Sequence, residues 1–505
     1  MFEPNFTKVV SSVRRNLGST QSVVEIKLPT NDGDVSQVYT VGAKSSVISY
    51  ECNGREVSFV GMVNFQAVYN IAGVLASDYT AEFKDSFLSD GEVCGELIVS
   101  SCVVDVSSSV VSGGIKVVAI VETNIDVIEN KEVSVLTGMS GEDGHILTKD
   151  ICFCSYLGKA YEKFDVSSDF SIKDALSVFM VTPCVSLGEI IARDNFIIVS
   201  GKVGFDVCYK SGESVEDINT RYYSVDFSRE VAFDGVVTDS IVQSLVGIVS
   251  NEIRVTTLVE DGAVNVNINI PLVYTGYVFS ENKLEIVDDV YLEKNYMSIT
   301  CENFETISSN GFVCFKDNIS GTASILDSSP FIDEIVGVST NNLILASSKV
   351  VGDRVCVEGV ANVTVIYYSK ETSDITSVQV EMPFSVEEKS SGKIANVVTI
   401  CLENLSARSK RGKEIEVSAE LGVYADTYAE KGVCAITQVS VGEEKPVEDC
   451  SLFVYVVKPG QNVWDIAKDI GVSQELILEQ NPDVELPVKA GDKLVVYKPN
   501  VIMFE

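Results

Sequence analysis

The chain has 505 residues, 46% of them hydrophobic, and this composition excludes an intrinsically disordered protein. Its 73 acidic and 38 basic residues give a formal net charge of -35 at pH 7, which repels nucleic-acid phosphates and anionic lipid headgroups. We therefore expect no nucleic-acid partner and no direct membrane insertion. The charge can serve solubility alone or, as the alternative, steer the chain towards a basic partner.

The chain begins with MFEPNFTKVVSSVRRNLGST, where an acid and a proline interrupt any apolar run of signal-peptide length. Elsewhere, charges interrupt the apolar stretches well before the roughly 20 residues that span a bilayer. The sequence thus predicts a chain that is neither secreted by the general route nor anchored by a membrane helix. Its 13 cysteines are scattered, and we interpret them as reduced thiols that fill small apolar gaps in strands.

Residues 1–440 are rich in β-branched and aromatic side chains, and three stretches repeat a pattern of a turn, a strand and a glycine. Apolar or aromatic side chains stand two, four, six and eight positions after each glycine, as in NGREVSFVGMVNFQAVYN. Polar side chains stand between them, so the period of two predicts a strand with one buried face. The glycine indicates a β-bulge or a close approach of the backbone. The three glycines are Gly61, Gly201 and Gly359.

Downstream, each copy has a strand with a phenylalanine, and then a turn glycine before a long alternating run. The phenylalanines are Phe83, Phe227 and Phe384, and the runs cover residues 113–122, 261–270 and 411–423. A second phrase, YLGKAYEKF from Tyr156 and YLEKNYMSI from Tyr291, supports duplication. The predicted fold class is mainly β, with three tandem β-sandwich or barrel-like repeats over residues 1–140, 141–283 and 284–440.

Candidate catalytic and metal-binding residues are few. The only histidine, His145, lies in the Gly-rich acidic stretch MSGEDGHILT, and we expect a solvated loop residue there. Cys152 and Cys154 share a strand face, but two thiols without a companion pair favour buried structural cysteines over a metal or redox site. The acidic clusters at 31–34 and 141–145 are predicted to be turns, because neither continues into a Ca²⁺-binding loop.

From these residues we predict a chain that is not an enzyme, with no catalytic residues, no metal site and no cofactor. Phosphate-binding loops of the G-x-x-x-x-G-K-[ST] type and dinucleotide-binding fingerprints are missing from the sequence. A hydrolase with an unfamiliar active site in the β-rich part is the weakest alternative.

A charged segment with a proline, VGEEKPVEDCS at 441–451, predicts an exposed linker before a compact βααβ unit at 452–505. LFVYVV predicts the first strand of this unit, and DKLVVYK predicts the strand that returns beside it. Asn462 can cap a first helix that ends at Gly471. The apolar stripe of that helix should comprise Val463, Ile466, Ala467 and Ile470.

A second helix, QELILEQ, can be capped by Ser473 and stopped by Asn481-Pro482. This unit resembles the lysin-motif (LysM) domain through YVVKPGQNVWDIAK, GVSQELILEQNP and PVKAGDKLVVY. LysM domains bind N-acetylglucosamine-containing glycans with the loop after the first strand and the loop after the second helix. The resemblance implies a groove for a partner or a glycan lined by Gly460, Gln461, Asn462, Val463, Ile477, Asn481, Pro482 and Asp483.

Two features of this unit bear on the groove. The chain has Gly460-Gln461-Asn462 where the family usually has Gly-Asp-Thr or Gly-Asp-Ser, which changes the hydrogen-bonding groups at the mouth of the groove. Trp464, the only tryptophan, matches an aromatic residue common at that helix position. We expect partial core packing for its indole, with direct contact to the bound molecule as the alternative.

Three β-rich repeats followed by one LysM domain resemble the tandem SPOCS-domain proteins of endospore-forming bacteria. The resemblance implies a non-enzymatic scaffold or adaptor for spore-coat assembly, placed in the mother-cell cytoplasm at the forespore surface. It also implies that the LysM domain docks to a basement-layer morphogenetic ATPase of the coat, with other coat proteins as further partners. The alternative is a peptidoglycan-binding protein that its LysM domain anchors to cortex or cell wall.

Overall fold

The structure is a computed structural model that describes residues 3–29, 35–71, 73–141, 143–212, 217–260, 262–390, 392–446 and 452–498, without the side chains of residues 29, 308–310 and 397–398. Within these ranges, nearly all regular structure is antiparallel β-strand, and the α-helices lie near the carboxy terminus. The prediction of a mainly β fold with a small α+β unit at its end is confirmed. None of the described helices has the length and apolar character needed to cross a membrane.

The same order of strands occurs three times along the chain. The first unit comprises β1 (Glu3–Pro29), β2 (Gln37–Asn53), β3 (Glu56–Asn70), β4 (Val74–Leu88), β5 (Glu96–Val111) and β6 (Gly114–Ser140). The second comprises β7 (Gly144–Lys173), β8 (Ser177–Arg193), β9 (Phe196–Lys210), β10 (Ile218–Ala232), β11 (Ile241–Ile248), β12 (Arg254–Glu260) and β13 (Ala263–Leu292). The third comprises β14 (Asn295–Ser324), β15 (Glu334–Val351), β16 (Arg354–Ser369), β17 (Asp374–Lys389), β18 (Ile394–Lys410) and β19 (Glu414–Glu444).

Each unit is a β-sandwich of two antiparallel sheets. One sheet is a three-stranded meander. In the other sheet, the last strand of the unit lies in the centre and pairs with the first strand on one side and with the strand that precedes it in sequence on the other. In the second unit that neighbouring strand is divided into β11 and β12 by a 3₁₀ turn at Ser250–Glu252. Apolar side chains from both sheets form one buried cluster in each unit, because alternate residues of every strand point inward.

The ends of these strands give unit limits of 3–140, 144–292 and 295–444. The sequence-based limit at residues 283 and 284 falls inside β13, which continues to Leu292. The expected linker begins inside β19, which continues to Glu444, and residues 447–451 lie outside the described part of the chain. We propose domain limits that follow the strands.

Each repeated glycine lies opposite its repeated phenylalanine on the next strand. Gly61 pairs with Phe83, Gly201 with Phe227 and Gly359 with Phe384. A Cβ built on the three glycines would lie 2.4, 2.7 and 2.5 Å from the respective phenyl rings. On the other side, the neighbouring strand has a register shift directly beside the glycine in every unit. Both sequence-based interpretations of the glycine therefore hold, because a bulge flanks it and a backbone carbonyl of the neighbouring strand approaches it closely, that of Ser46, Ser186 or Ile344.

The three units pack against each other through equivalent positions. Val68, Cys208 and Ile366 each stand seven residues after a repeated glycine, and all three belong to one buried cluster. The expectation of a single buried face on these strands was therefore wrong, because the second face packs between units. Its polar residues are used there: Gln66 donates to the backbone carbonyl of Val181 at 3.1 Å.

Several smaller predictions also needed correction. All twelve described cysteines are free, but half of them are exposed and fill no gap in a strand: Cys52, Cys94, Cys102, Cys301, Cys314 and Cys434. Cys154 is buried as expected, and burial raises the pKa of its thiol to about 12, whereas Cys152 is half-buried. Tyr156 lies within β7 and Tyr291 near the end of β13, so the two similar phrases do not occupy equivalent positions.

A buried carboxyl group at the junction of the three units gives the fold a pH dependence. Asp426 of β19 is 2% exposed, accepts from the backbone N–H of Ser244, and has Arg14 of β1 nearby. Burial raises the pKa of Asp426 to about 7. Because the folded state then binds this proton more tightly than the unfolded state, stability should rise as the pH falls from 8 through 7.

We expect Asp426→Asn to raise the thermal midpoint at pH 8 and to flatten its change between pH 8 and 6. The neutral amide removes a desolvation cost of roughly 2 to 4 kcal/mol at the higher pH. Differential scanning calorimetry of the full chain at both pH values measures this, with the exposed Asp165→Asn as the control. An equal loss of stability at both pH values would contradict it.

Candidate functional site

The carboxy-terminal unit folds as its local sequence predicts. It comprises β20 (Leu452–Val456), α1 (Val463–Ile470), α2 (Gln474–Gln480) and β21 (Lys493–Tyr497), with β20 antiparallel to β21. Asn462 caps α1 in a capping box, because its Oδ1 accepts from the backbone N–H of Asp465 at 2.9 Å and the Asp465 carboxylate accepts from the N–H of Asn462 at 3.0 Å. Gly471 ends α1 in the left-handed region with φ of 74°.

The apolar stripe of α1 forms the core of this unit. Its four predicted members are all buried: Val463, Ile466, Ala467 and Ile470. Ile477 of α2 and Leu494 of β21 belong to the same cluster. Because Val463 is 9% exposed and Ile477 1% exposed, these two predicted groove residues contribute to the core and offer little surface to a bound molecule.

In the loop after β20, the side chains predicted to line the groove are bonded within the unit. Gln461 Oε1 accepts from the Tyr455 hydroxyl at 3.0 Å and from the backbone N–H of Lys458 at 3.1 Å. Gln461 Nε2 donates to Asp469 Oδ2 at 2.9 Å. The amide oxygen of Asn462 is held by the capping box, and Gly460 is exposed. The loop therefore offers a ligand few polar side-chain groups.

In the loop after α2, the Asn481 side chain is bonded to the outer edge of β21. Its Nδ2 donates to the carbonyl of Val495 at 2.8 Å and its Oδ1 accepts from the N–H of the same residue at 2.8 Å. Pro482 and Asp483 are exposed. Among the described residues, no hydrogen bond joins this loop to the loop after β20.

Trp464 faces the second β-sandwich unit. Its Nε1 donates to Asp289 Oδ2 at 2.8 Å, and the indole is 5% exposed. Lys468, one turn further along α1, donates from Nζ to both oxygens of the same carboxylate at 2.7 Å. The expected core packing of Trp464 is therefore combined with a contact to a residue 175 positions earlier in the chain.

Aromatic rings extend this contact, which we call the Asp289 junction: Asp289, Tyr291, Trp464 and Lys468. Tyr291 lies edge-on to Trp464 with ring centroids 4.9 Å apart, and its hydroxyl donates to the carbonyl of Val472 at 2.7 Å. His145 stacks on Tyr291 at 5.0 Å. The prediction of a solvated loop histidine is wrong, because His145 stands in β7, is half-buried and has a partner.

His145 Nε2 lies 2.8 Å from Glu293 Oε1. The backbone carbonyl of Glu293 in turn lies beside Gly471, where an added Cβ would stand 2.8 Å from the carbonyl oxygen. The backbone of the last turn of α1 therefore approaches the second unit closely. These contacts make the carboxy-terminal unit part of one packed body with β13.

A β-bulge makes the side chain of Asp289 point towards the carboxy-terminal unit. The register of β13 against β7 shifts between Val287 and Asp289, so the strand alternation changes and both Val287 and Val290 are buried. Burial alone would raise the pKa of Asp289, but the hydrogen bonds from Lys468 and Trp464 hold it below its ordinary value. The junction should therefore be intact above the ordinary carboxyl pKa and weaken as the pH falls below it.

Gly471→Ala is expected to loosen the junction more than Gly460→Ala does. Both glycines have positive φ, 74° and 84°, so both substitutions introduce strain of about 1 kcal/mol or more. Only at Gly471 does the new Cβ also approach the Glu293 carbonyl, whereas nothing lies within 4 Å at Gly460. The emission spectrum of Trp464 measures this, since no other tryptophan contributes. Identical spectra for the two variants would contradict it.

Family models match two parts of the chain. The model described as SipL, SPOCS domain, matches residues 332–408, which cover β15 to β17 and most of β18. The LysM domain model matches residues 455–496, from β20 into β21. The chain has a SipL-type architecture. Its SPOCS domain associates it with sporulation, and its LysM domain makes it resemble a wall-binding adaptor. No curated protein and no solved structure matches the chain.

The sequence predicted the LysM domain but not the Asp289 junction. Asp289 lies among several acidic residues of β13, and nothing in its immediate neighbours distinguishes it. A signal was present on the other side: Trp464 and Lys468 are four residues apart, so they share a face of α1 that the apolar stripe does not use fully. That spacing could have indicated a second contact surface on this helix.

Proposed function

We propose that this chain is a non-enzymatic adaptor in endospore-coat assembly, and that its LysM domain docks to a basement-layer morphogenetic ATPase of the coat. Its place would be the mother-cell cytoplasm at the forespore surface, among other coat proteins. The SPOCS and LysM matches support a sporulation-associated adaptor, and both are families of non-catalytic domains. The first two β units would then be SPOCS-like repeats, which their shared strand order supports.

One observation favours a protein over a glycan as the ligand of the LysM domain. The amide side chains of Gln461 and Asn481 are both bonded inside the domain, to Asp469 and to Val495. A sugar is held mainly by polar groups that replace its bonds to water, and buried or bonded amides cannot supply them without breaking their present bonds. The outer face of its two-stranded sheet instead exposes apolar side chains: Leu452, Val454, Val456, Val495 and Tyr497.

The second candidate is a peptidoglycan-binding protein, anchored by the LysM domain to cortex or cell wall. The LysM match supports it, and so does the exposure of Gly460, Pro482 and Asp483 in the two loops that bind glycans in that family. On this account the amides of Gln461 and Asn481 would exchange their internal partners for sugar hydroxyl groups.

Two binding assays on the full chain separate these candidates. We expect the tagged chain to retain the purified coat ATPase with a dissociation constant of about 1 μM or tighter, and to stay in the supernatant when murein sacculi are sedimented. Sedimentation with sacculi that Gln461→Ala abolishes, together with no retention of the ATPase, would contradict the proposed function and support the alternative.

A further inference from the structure

The LysM sheet of β20 and β21 has an apolar outer face. Alternate side chains of both strands point inward to the helices, and the others point away from the domain core. The outward apolar side chains are 45 to 59% exposed: Leu452, Val454, Val456, Val495 and Tyr497. A strand that reads as a continuous apolar run, as LFVYVV does, is typical of a strand covered on both faces. Here only one face is covered within the described chain.

The edge of this sheet formed by β21 is closed by side chains of α2. Asn481 bonds both the N–H and the carbonyl of Val495, and Gln480 bonds both groups of Tyr497 at 2.7 and 2.9 Å. Side-chain amides thus take the place of a neighbouring strand on this side. No further strand can add to β21 without displacing them.

The opposite edge, formed by β20, is open. Val495 points its backbone groups away from β20, so its cross-strand partner Val454 is in a non-hydrogen-bonded pair. The backbone N–H and carbonyl of Val454 therefore point away from β21, and by the alternation of the ladder so do those of Val456. No hydrogen bond to these four groups is found in the described chain. The edge has the geometry that accepts an added strand.

Charge on this face favours a partner with an acidic side chain over a second copy of this chain. Lys493 lies beside Val456 on the outer face and has no ion pair among the described residues, although the chain carries 73 acids. No acidic side chain belongs to this face of the two strands. A second copy of the chain would bring another net charge of -35, which opposes self-association through this edge.

We propose that the open edge and outer face of β20 bind an extended segment of a partner protein, which adds as a third strand. Alternate side chains of the segment are apolar and cover Val454 and Tyr497. The segment also carries a carboxylate that forms an ion pair with Lys493. This inference rests on the proposed function, in that it names the surface through which the LysM domain would dock to a protein. Docking through the sheet does not use α1, so this helix can form the Asp289 junction at the same time.

Variants of the full chain test the proposed surface. Val454→Pro removes an outward N–H that takes no part in the β20 and β21 ladder, so the domain should still fold. Tyr497→Glu places a charge on the apolar face and leaves the backbone bonds to Gln480 intact. Val454→Ile keeps both features and serves as the control. The emission of Trp464 reports whether each variant is folded.

The probes are the purified coat ATPase and a labelled synthetic peptide of alternating valine and threonine that ends in glutamate. We expect wild type and Val454→Ile to bind both probes, and Val454→Pro and Tyr497→Glu to bind each at least tenfold more weakly. If the peptide binds in this pattern but the ATPase does not bind, the inference stands and the proposed function fails. If the ATPase binds all four chains equally, the proposed function stands and the inference fails.

Three further outcomes would overturn the inference. The first is that neither probe binds the wild-type chain. The second is a dimer of the wild-type chain, measured by light scattering, that Val454→Pro dissociates, because the occupant would then be a second copy. The third is a variant ending at Lys498 that binds the peptide at least tenfold more tightly than the full chain, because residues 499–505 would then compete for the surface.

Discussion

Replacing Gly359 with valine is expected to unfold the third β unit. Gly359 lies in β16, the central strand of its sheet, and an added Cβ would stand 2.2 Å from the Ile344 carbonyl oxygen and 2.5 Å from the Phe384 ring. The carbonyl belongs to the adjoining strand and cannot move without breaking the ladder. The ring is 6% exposed and is held in the core. We expect a loss of roughly 3 kcal/mol or more from this overpacking.

Calorimetry and limited proteolysis of the full chain measure this effect. The matched control is Gly432→Val in β19 of the same unit, where nothing lies within 4 Å of the added Cβ. Valine suits an exposed strand position, so this control should unfold at the wild-type temperature. If Gly359→Val unfolds at the same temperature as the wild-type chain, the close packing of Phe384 on this glycine does not determine the stability of the sheet.

The second large effect is expected from Asp289→Ala, which should release the LysM domain from the β-sandwich units. The substitution removes the acceptor for Trp464 Nε1 and the counter-charge of Lys468. Hydrogen bonds to a charged group are worth about 1.5 to 3 kcal/mol each, and an indole N–H left buried without an acceptor adds to the cost. A combined loss of about 3 kcal/mol corresponds to a shift of the docking equilibrium by more than a hundredfold.

Release of the domain can be followed through Trp464, since the chain has no other tryptophan. We expect its emission to shift to longer wavelength and its quenching by iodide to increase. Asp288→Ala is the control, because Asp288 is the neighbouring acid and pairs with Lys149 away from the LysM domain. Asp289→Asn should have a smaller effect, since its amide oxygen can still accept from the indole. Equal quenching of wild type and Asp289→Ala would contradict the Asp289 junction.

Local signals in the sequence were sufficient for the LysM domain. Caps and helix stops act over four or five residues, so Asn462 and Gly471 could be assigned from their immediate neighbours. Alternation along single strands was likewise visible, which is why the repeated glycines and phenylalanines could be found. Their pairing across strands could not be predicted, because it depends on the register of the sheet.

Contacts between distant parts of the chain could not be predicted from the sequence. The polar character of the strand face with Gln66 and Asp206 predicts exposure to solvent, whereas these residues face neighbouring units. The glycines and acids around His145 predict a loop residue, but β13, the partner of β7, and the residue that follows β13 bring Tyr291 and Glu293 beside it. In both cases the deciding neighbour lies more than 100 residues away.

The loops of the LysM domain illustrate a different limit. A resemblance indicates which positions line a groove in the family, but not whether their side chains are available in this chain. Gln461 and Asn481 stand at such positions and are bonded to Asp469 and Val495. Side-chain hydrogen bonds of this kind depend on rotamers that a sequence pattern does not specify.

The proposed docking mode uses the sheet of the LysM domain, and not its two loops, to bind a partner protein. It can be tested by hydrogen–deuterium exchange of the full chain, alone and bound to the purified coat ATPase. We expect slower exchange on binding at residues 452–456 and unchanged exchange at 458–463 and 481–486. Slower exchange in the two loops with no change in β20 would contradict it.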